Sequence, residues 1–287
     1  MYSKILVPLD GSPLAEQILP YVCLLAAAYN IPVELLWVHD VELLEWPPRS
    51  GKEYLRQATV KYLSAFKQIE SIEADGKPAE VIVRRAEAEP SCLIAMATHG
   101  TSGMRRWLIG SVASKVVQTA HNPLLLIRPM ENADPAVAIK FNTIFVPLDG
   151  SGLAEKALPH AVALAKKLKP AVQLLRFYTL PGDAYVVADG VIAQGPAQFR
   201  EAIHKEAESY LDGKVETLRV EGLDQVIGTA MEGDAAREIV DLAAKTANSL
   251  IAMSTHGRSG IGRWLLGSVA EKVLQHSHVP VLLVRAS

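Results

Sequence analysis

The chain has 287 residues, enough for two ordinary domains or one large one, and 49% of them are apolar, which supplies a full core and excludes wholesale disorder. Its 29 basic and 31 acidic side chains leave a net charge of −2, without the basic surplus that a general nucleic-acid or anionic-membrane binder needs. The longest unbroken apolar stretch, Tyr21 to Tyr29, is nine residues, well short of the roughly twenty that span a bilayer. No secretory signal is expected in MYSKILVPLDGS. The two cysteines, Cys23 and Cys92, sit in apolar stretches and read as small core residues, in keeping with a cytoplasmic location.

In chain order, the apolar run Lys4–Leu9 reads as a strand buried on both faces, stopped by Asp10-Gly11-Ser12. Pro13–Leu19 reads as a turn. A helix then starts at Pro20 and runs to Tyr29, because proline is tolerated in the first helical turn and not in the interior. Strand Val33–His39, helices Glu53–Ile69 and Pro78–Ala86, strand Cys92–Ala97, helix Ser111–Ala120 with Ser111 as its N-cap, and strand Pro123–Ile127 follow. The series then begins again. Residues 4–28 align with 143–167 at an offset of 139, with 14 of 25 positions identical, and residues 93–128 align with 250–285 at an offset of 157, with 24 of 36 identical. The chain is therefore a duplication: one domain over 1–130, a linker over 131–141 within a stretch rich in Pro, Ala and charge, and a second domain over 142–287. Alternating strands and helices make the class α/β, two tandem open parallel-sheet sandwiches of Rossmann-like type. The second copy is 18 residues longer between its second strand and Gly233 than the first is before Gly76. It offers strand-like Lys214–Val220 and Gln225–Met231 where the first has only SIEAD. A shortened or missing strand before Gly76 is thus predicted, at a sheet edge where the loss costs least, and the second copy's crevice is expected to be the better formed.

Most chemical motifs are absent. No G-x-x-x-x-G-K-[ST], post-strand G-x-G-x-x-G, H-E-x-x-H, CxxC or G-x-S-x-G occurs, which removes the standard P-loop, dinucleotide, zinc and α/β-hydrolase readings. Asp10, His99 and Ser111 make a triad only on paper. Each copy does contain one glycine-rich segment between a buried strand and a helix: Ala97-Thr98-His99-Gly100 and, nine residues on, Gly110-Ser111-Val112; then Ser254-Thr255-His256-Gly257 and Gly267-Ser268-Val269. Open α/β sheets bind ligands at such strand ends. Small residues let backbone N–H groups approach a phosphate, and a helix N-terminus attracts it. Arg105, Arg106, Arg258 and Arg263 add positive charge to the loops. Asp10 and Asp149 end the first strands, where a carboxylate serves ribose hydroxyls, a magnesium ion, or only the following Asp-Gly-Ser turn.

Together these residues resemble the universal stress protein family, whose ATP-binding branch carries G-x2-G-x9-G-[ST] after a first strand ending in V-D-x-S or a close variant. Here the strands end Val7-Pro8-Leu9-Asp10-Gly11-Ser12 and Val146-Pro147-Leu148-Asp149-Gly150-Ser151, and each copy closes with P-[LV]-L-L-[IV]-R. The resemblance implies ATP or AMP as ligand, with magnesium at Asp10 and Asp149. Pro8, Leu9, Pro147 and Leu148 would line the nucleotide. Adenine would be held by backbone groups of Val38–Val41 and Phe177–Leu180, and phosphates by Gly100, Gly110, Ser111, Gly257, Gly267 and Ser268. The motif's first glycine is replaced by Ala97 and Ser254. His99 and His256 would brace their loops. The resemblance also implies pairing of the two repeats through 123–127 and 280–284, while association of two chains into a homodimer stays open. The expected role is a nucleotide-dependent switch or chaperone-like regulator in stress response, with at most slow ATP hydrolysis. The alternative is an interaction module that binds no nucleotide and whose glycine loops are only structural.

Overall fold

The computed structural model describes residues 1–40, 50–100, 109–130, 139–180, 187–188, 191–192, 196–257 and 266–285. The first copy runs β1 (Lys4–Pro8), α1 (Pro13–Glu16), α2 (Leu19–Tyr29), β2 (Val33–His39), α3 (Gly51–Tyr62), β3 (Ile69–Asp75), α4 (Pro78–Glu87), β4 (Cys92–Ala97), α5 (Ser111–Thr119) and β5 (Leu124–Ile127). The second runs β6 (Thr143–Pro147), a 3-10 turn at Ala154–Ala157, α6 (Leu158–Leu168), β7 (Ala171–Tyr178), the two-residue strands β8 (Val187–Ala188) and β9 (Val191–Ile192), α7 (Pro196–Val220), β10 (Val226–Glu232), α8 (Ala235–Lys245), β11 (Ser249–Ser254), α9 (Ser268–His276) and β12 (Val281–Val284).

Ten strands form one sheet, in the order β10-β7-β6-β11-β12-β5-β4-β1-β2-β3. Within each half the strands are parallel, and the halves meet where β12 pairs antiparallel with β5, Val281 opposite Leu126 and Leu283 opposite Leu124. That is the internal pairing expected of the closing motifs. The central strands are apolar throughout because helices cover both faces. Leu6, Ile94 and Leu126 face one core, and Ile5, Leu93 and Leu125 face the other, each core drawing on both halves.

The arginines that end the two motifs cross the pseudo-dyad. Arg128 Nη1 donates to the Gln275 carbonyl in the last turn of α9. Arg285 Nη1 donates to the carbonyls of Gln118 (2.9 Å) and Ala120 (3.3 Å) at the end of α5. Each half thus caps the C-terminal helix of the other with a cation, where the helix dipole favours one.

The predicted loss of a strand does not occur. The first copy keeps a full strand, β3, paired with β2 over seven positions from Val33–Ile69 to His39–Asp75. Its IESIEAD sequence hides it, since an edge strand half open to water carries charges on its exposed side. The extra residues of the second copy lie instead in α7, 25 residues against 12 in α3, and in the segment before it. Lys214–Val220, read as strand-like, is the last two turns of α7. Ile69, assigned to a helix, opens β3.

The copies also differ in a buried polar position. Glu34 on β2 is 4% exposed and is held by Lys4 Nζ at 2.9 Å and by Arg85 Nε. Burial pushes its carboxyl up, but the hydrogen bonds from Arg85 and Lys4 outweigh burial and leave it below the ordinary glutamate range. The second copy has Gln173 there, donating to Thr229 Oγ1 at 2.9 Å.

Two outcomes are expected. A carboxyl lowered in the folded state stabilises the fold above its unfolded value, roughly 4.3, and loses that contribution as pH falls through the folded value. Glu34→Gln should therefore flatten the acid limb of stability against pH, read by denaturant titration. Arg285→Ala should cost about 1–2 kcal/mol in the same measurement through the lost charged cap.

Candidate functional site

The strand order reverses between β1 and β4, and between β6 and β11, so a crevice opens outside the C-terminal ends of each pair. The first crevice, of ≈430 Å³, is walled by Pro8, Leu9 and Asp10 after β1, Val38 on β2, Ala97 and Gly100 after β4, and Gly110, Ser111 and Val112 at the start of α5. The second, of ≈210 Å³, is walled by Pro147, Leu148, Asp149, Phe177, Ser254, Gly257, Gly267, Ser268 and Val269. The structure thus gathers the sequence candidates around two crevices, with two exceptions. Leu180 does not line the second crevice, and Val41 lies outside the described residues, as do Arg105, Arg106, Arg258 and Arg263. The second crevice was expected to be the better formed; it has about half the volume of the first, and among the described residues of β7 and the turn after it only Phe177 lines it.

The Asp-Gly-Ser turns set the floor of each crevice. Asp10 Oδ1 accepts hydrogen bonds from Ser12 N (3.0 Å) and Oγ (2.7 Å), and Ser12 Oγ accepts from Ala15 N (3.0 Å), capping α1. Gly11 makes the turn at φ 81°. Asp149, Ser151 and Ala154 repeat the relay at 2.9, 2.6 and 3.1 Å. The other carboxylate oxygen faces the glycine loop. A Cβ on Gly100 would lie 1.9 Å from Asp10 Oδ2, and one on Gly257 would lie 2.1 Å from Asp149 Oδ2.

The far end of each loop is closed by backbone. Gly110 N donates to the Thr98 carbonyl at 2.8 Å and Gly267 N to that of Thr255 at 2.9 Å. A Cβ at either glycine would lie 3.0 Å from that oxygen. The helix N-cap is therefore Gly110, at φ −57° and ψ 152°, and Ser111, expected as the cap, is the first helical residue. Neither α5 nor α9 has a side-chain cap, whereas Ser50 caps α3 and Asp234 caps α8. The first N–H groups of α5 and α9 are thus presented to the crevices instead of to a capping side chain. His99 Nδ1 and Thr98 Oγ1 are 3.0 Å apart, as are His256 Nδ1 and Thr255 Oγ1, an arrangement that braces each loop.

His39 and Asp40 fall within the expected Val38–Val41 stretch, while other lining residues escaped the sequence reading, among them Trp37, Pro78 and Ile82. Pro78 and Ile82 come from α4 through its crossover position, which no local motif signals. In the second crevice Ser254 is 6% exposed and its hydroxyl is buried without a hydrogen-bond partner. Among the described residues no group of three or more His, Cys, Asp or Glu comes together to hold a metal, and no helix is long and apolar enough to cross a membrane.

Comparison with known proteins identifies the architecture. The universal stress protein family model matches residues 1–128 and again 140–285. A universal stress protein of Mycobacterium tuberculosis is 26% identical over 306 aligned positions, covering 99% of this chain and 97% of the relative. One from Methanocaldococcus jannaschii is 34% identical over 145 positions, half of this chain and 82% of its own. The solved universal stress protein of Archaeoglobus fulgidus shares the fold at a TM-score of 0.71 and 20% identity, with 100% of both chains covered.

The contact at Gly100 has a measurable consequence. Asp10 is pinned by Ser12 and cannot swing aside, so Gly100→Ala should lower stability by about 1–3 kcal/mol. Asp10→Ala in the same chain should recover part of the loss, a coupling that a double-mutant cycle in denaturant reads directly.

Proposed function

The chain belongs to the universal stress protein family, and on that premise we propose that it binds an adenine nucleotide, ATP or AMP, at its strand-end crevices and acts in the cytoplasm as a nucleotide-dependent switch or chaperone-like regulator of the stress response. The observation that carries this reading is the start of α5: a glycine-capped helix N-terminus, without a side-chain cap, aimed at a crevice of ≈430 Å³ at the strand-order reversal. That volume falls within the roughly 300–1,000 Å³ of small-molecule sites. The phosphates would sit against the N–H groups of Ser111 and Val112, where the helix dipole favours negative charge. The base would lie toward Val38 and His39 at the end of β2, with its plane against the apolar wall of Leu9 and Ile82. Asp10, with Oδ1 held by Ser12, keeps Oδ2 at the crevice floor for a ribose hydroxyl or a magnesium ion whose remaining ligands are phosphate oxygens and water. Occupancy, with slow or no hydrolysis, would shift conformation or partner choice.

One observation favours the second reading, an interaction module that takes no nucleotide: Gly100 and Gly110 each meet a packing demand of the fold, so their presence does not by itself require a ligand. Calorimetric titration of the full chain with Mg-ATP and with AMP separates the two. Binding heat is expected, with a rise in melting temperature equivalent to about 2.7 kcal/mol at a hundredfold excess over Kd. No heat and no shift at millimolar nucleotide would leave the interaction module standing.

A further inference from the structure

The two crevices keep the same phosphate end and have parted at the other. Resting on the nucleotide reading, we propose that nucleotide binding is confined to the first half of the chain. In the second half Phe177 closes the base end, and the crevice takes an anion without a base, inorganic phosphate or diphosphate.

Three observations carry this. The first is shape. Phe177 stands at the register position of Val38, and the wall of the first crevice continues past Val38 to His39 and Asp40, while among the described residues after Phe177 none lines the second until Ala235. The remaining ≈210 Å³ is below the roughly 300–1,000 Å³ of small-molecule sites.

The second is where the neighbouring side chains have gone. Trp37 and His39 line the first crevice, although Trp37 also packs on Tyr54 of α3 with ring centroids 5.3 Å apart; their counterparts Arg176 and Tyr178 contact α7 and do not line the second crevice. Arg176 Nη2 lies 2.9 Å from both carboxylate oxygens of Glu206, with its guanidinium 4.7 Å over the Tyr210 ring. The Tyr178 hydroxyl is 3.0 Å from His204 Nδ1. Positions 37 and 176 thus face the covering helix alike, and only the first half's pair also borders its crevice.

The third is polarity. At the phosphate end, the second crevice has Ser254 where the first has Ala97, and its buried hydroxyl has no partner. An anion's oxygen would satisfy that donor, which is otherwise left unpaired in the protein interior.

Titration of the full chain with Mg-ATP is expected to give one site per chain. Val38→Phe should weaken that site at least tenfold, and Phe177→Val should add a second. The gain in the second variant keeps the test decisive even if the first melts early in nucleotide-free thermal scans. Two sites in the unaltered chain, or one site indifferent to Val38→Phe, overturns the proposal while the nucleotide reading stands. Absence of ATP binding in both the unaltered chain and Phe177→Val overturns the nucleotide reading and this proposal with it. For the anion, Val38→Phe protein should still bind sodium diphosphate, and adding Ser254→Ala should weaken it severalfold; an unchanged diphosphate affinity overturns that part.

Discussion

The contact between a carboxylate and an absent side chain holds each crevice in shape. Asp10 is fixed on one side by the Ser12 backbone and hydroxyl, and on the other it fills the space a Cβ at position 100 would need. It therefore locks the end of β1 to the end of β4, the two strands between which the sheet changes direction. Because Ser12 also caps α1, the same carboxylate sets the first turn after the strand. The loop leaves β4 over this platform and returns to it when Gly110 bonds the Thr98 carbonyl. The helix that follows then begins at the crevice with its amide dipoles directed inward.

The duplication adds a second constraint at the opposite end of those helices. The C-termini of α5 and α9 are held by arginines of the other half, Arg285 and Arg128. Each of these helices therefore has its N-terminus at a ligand crevice and its C-terminus at the junction between halves. A charge arriving at one end and a cation fixed at the other act on the same aligned dipole. The short antiparallel pairing of β5 with β12 keeps the two in register. Any anion held at the first crevice would thus have a direct mechanical route to the junction, through one nine-residue helix.

How much of this was legible in the sequence depends on burial. Strands covered on both faces are continuous apolar runs, and Val33–His39 and Cys92–Ala97 are found where the sequence predicts them. β3 is not, because an edge strand half open to water alternates like a loop with charges. Lys214–Val220 carries β-branched residues and passes for a strand, yet it is held helical by the rest of α7, with Val215 and Leu218 buried against the core. The glycine positions were readable, but not their cause. Position 100 reads as a phosphate loop, and the structure adds a carboxylate neighbour 90 residues away in the chain. Residues that reach the crevice from α4 have no local signature at all.

That cause bears on what sequence identity between the halves can mean. Over the loop-and-helix segment the copies agree at 24 of 36 positions, and both keep Asp, Gly and Gly in the same contacts. These residues are demanded by packing whether or not a ligand binds, so their retention reports a preserved scaffold. Where packing makes no such demand, at the end of the second strand, Val38, His39 and Asp40 have become Phe177, Tyr178 and Thr179. The information about ligand choice therefore lies in the positions that changed. The same holds for the 18 additional residues, which lengthen α7 and the segment before it. A duplicated fold can keep the whole framework of a strand-end crevice and still alter the space it encloses with one aromatic ring.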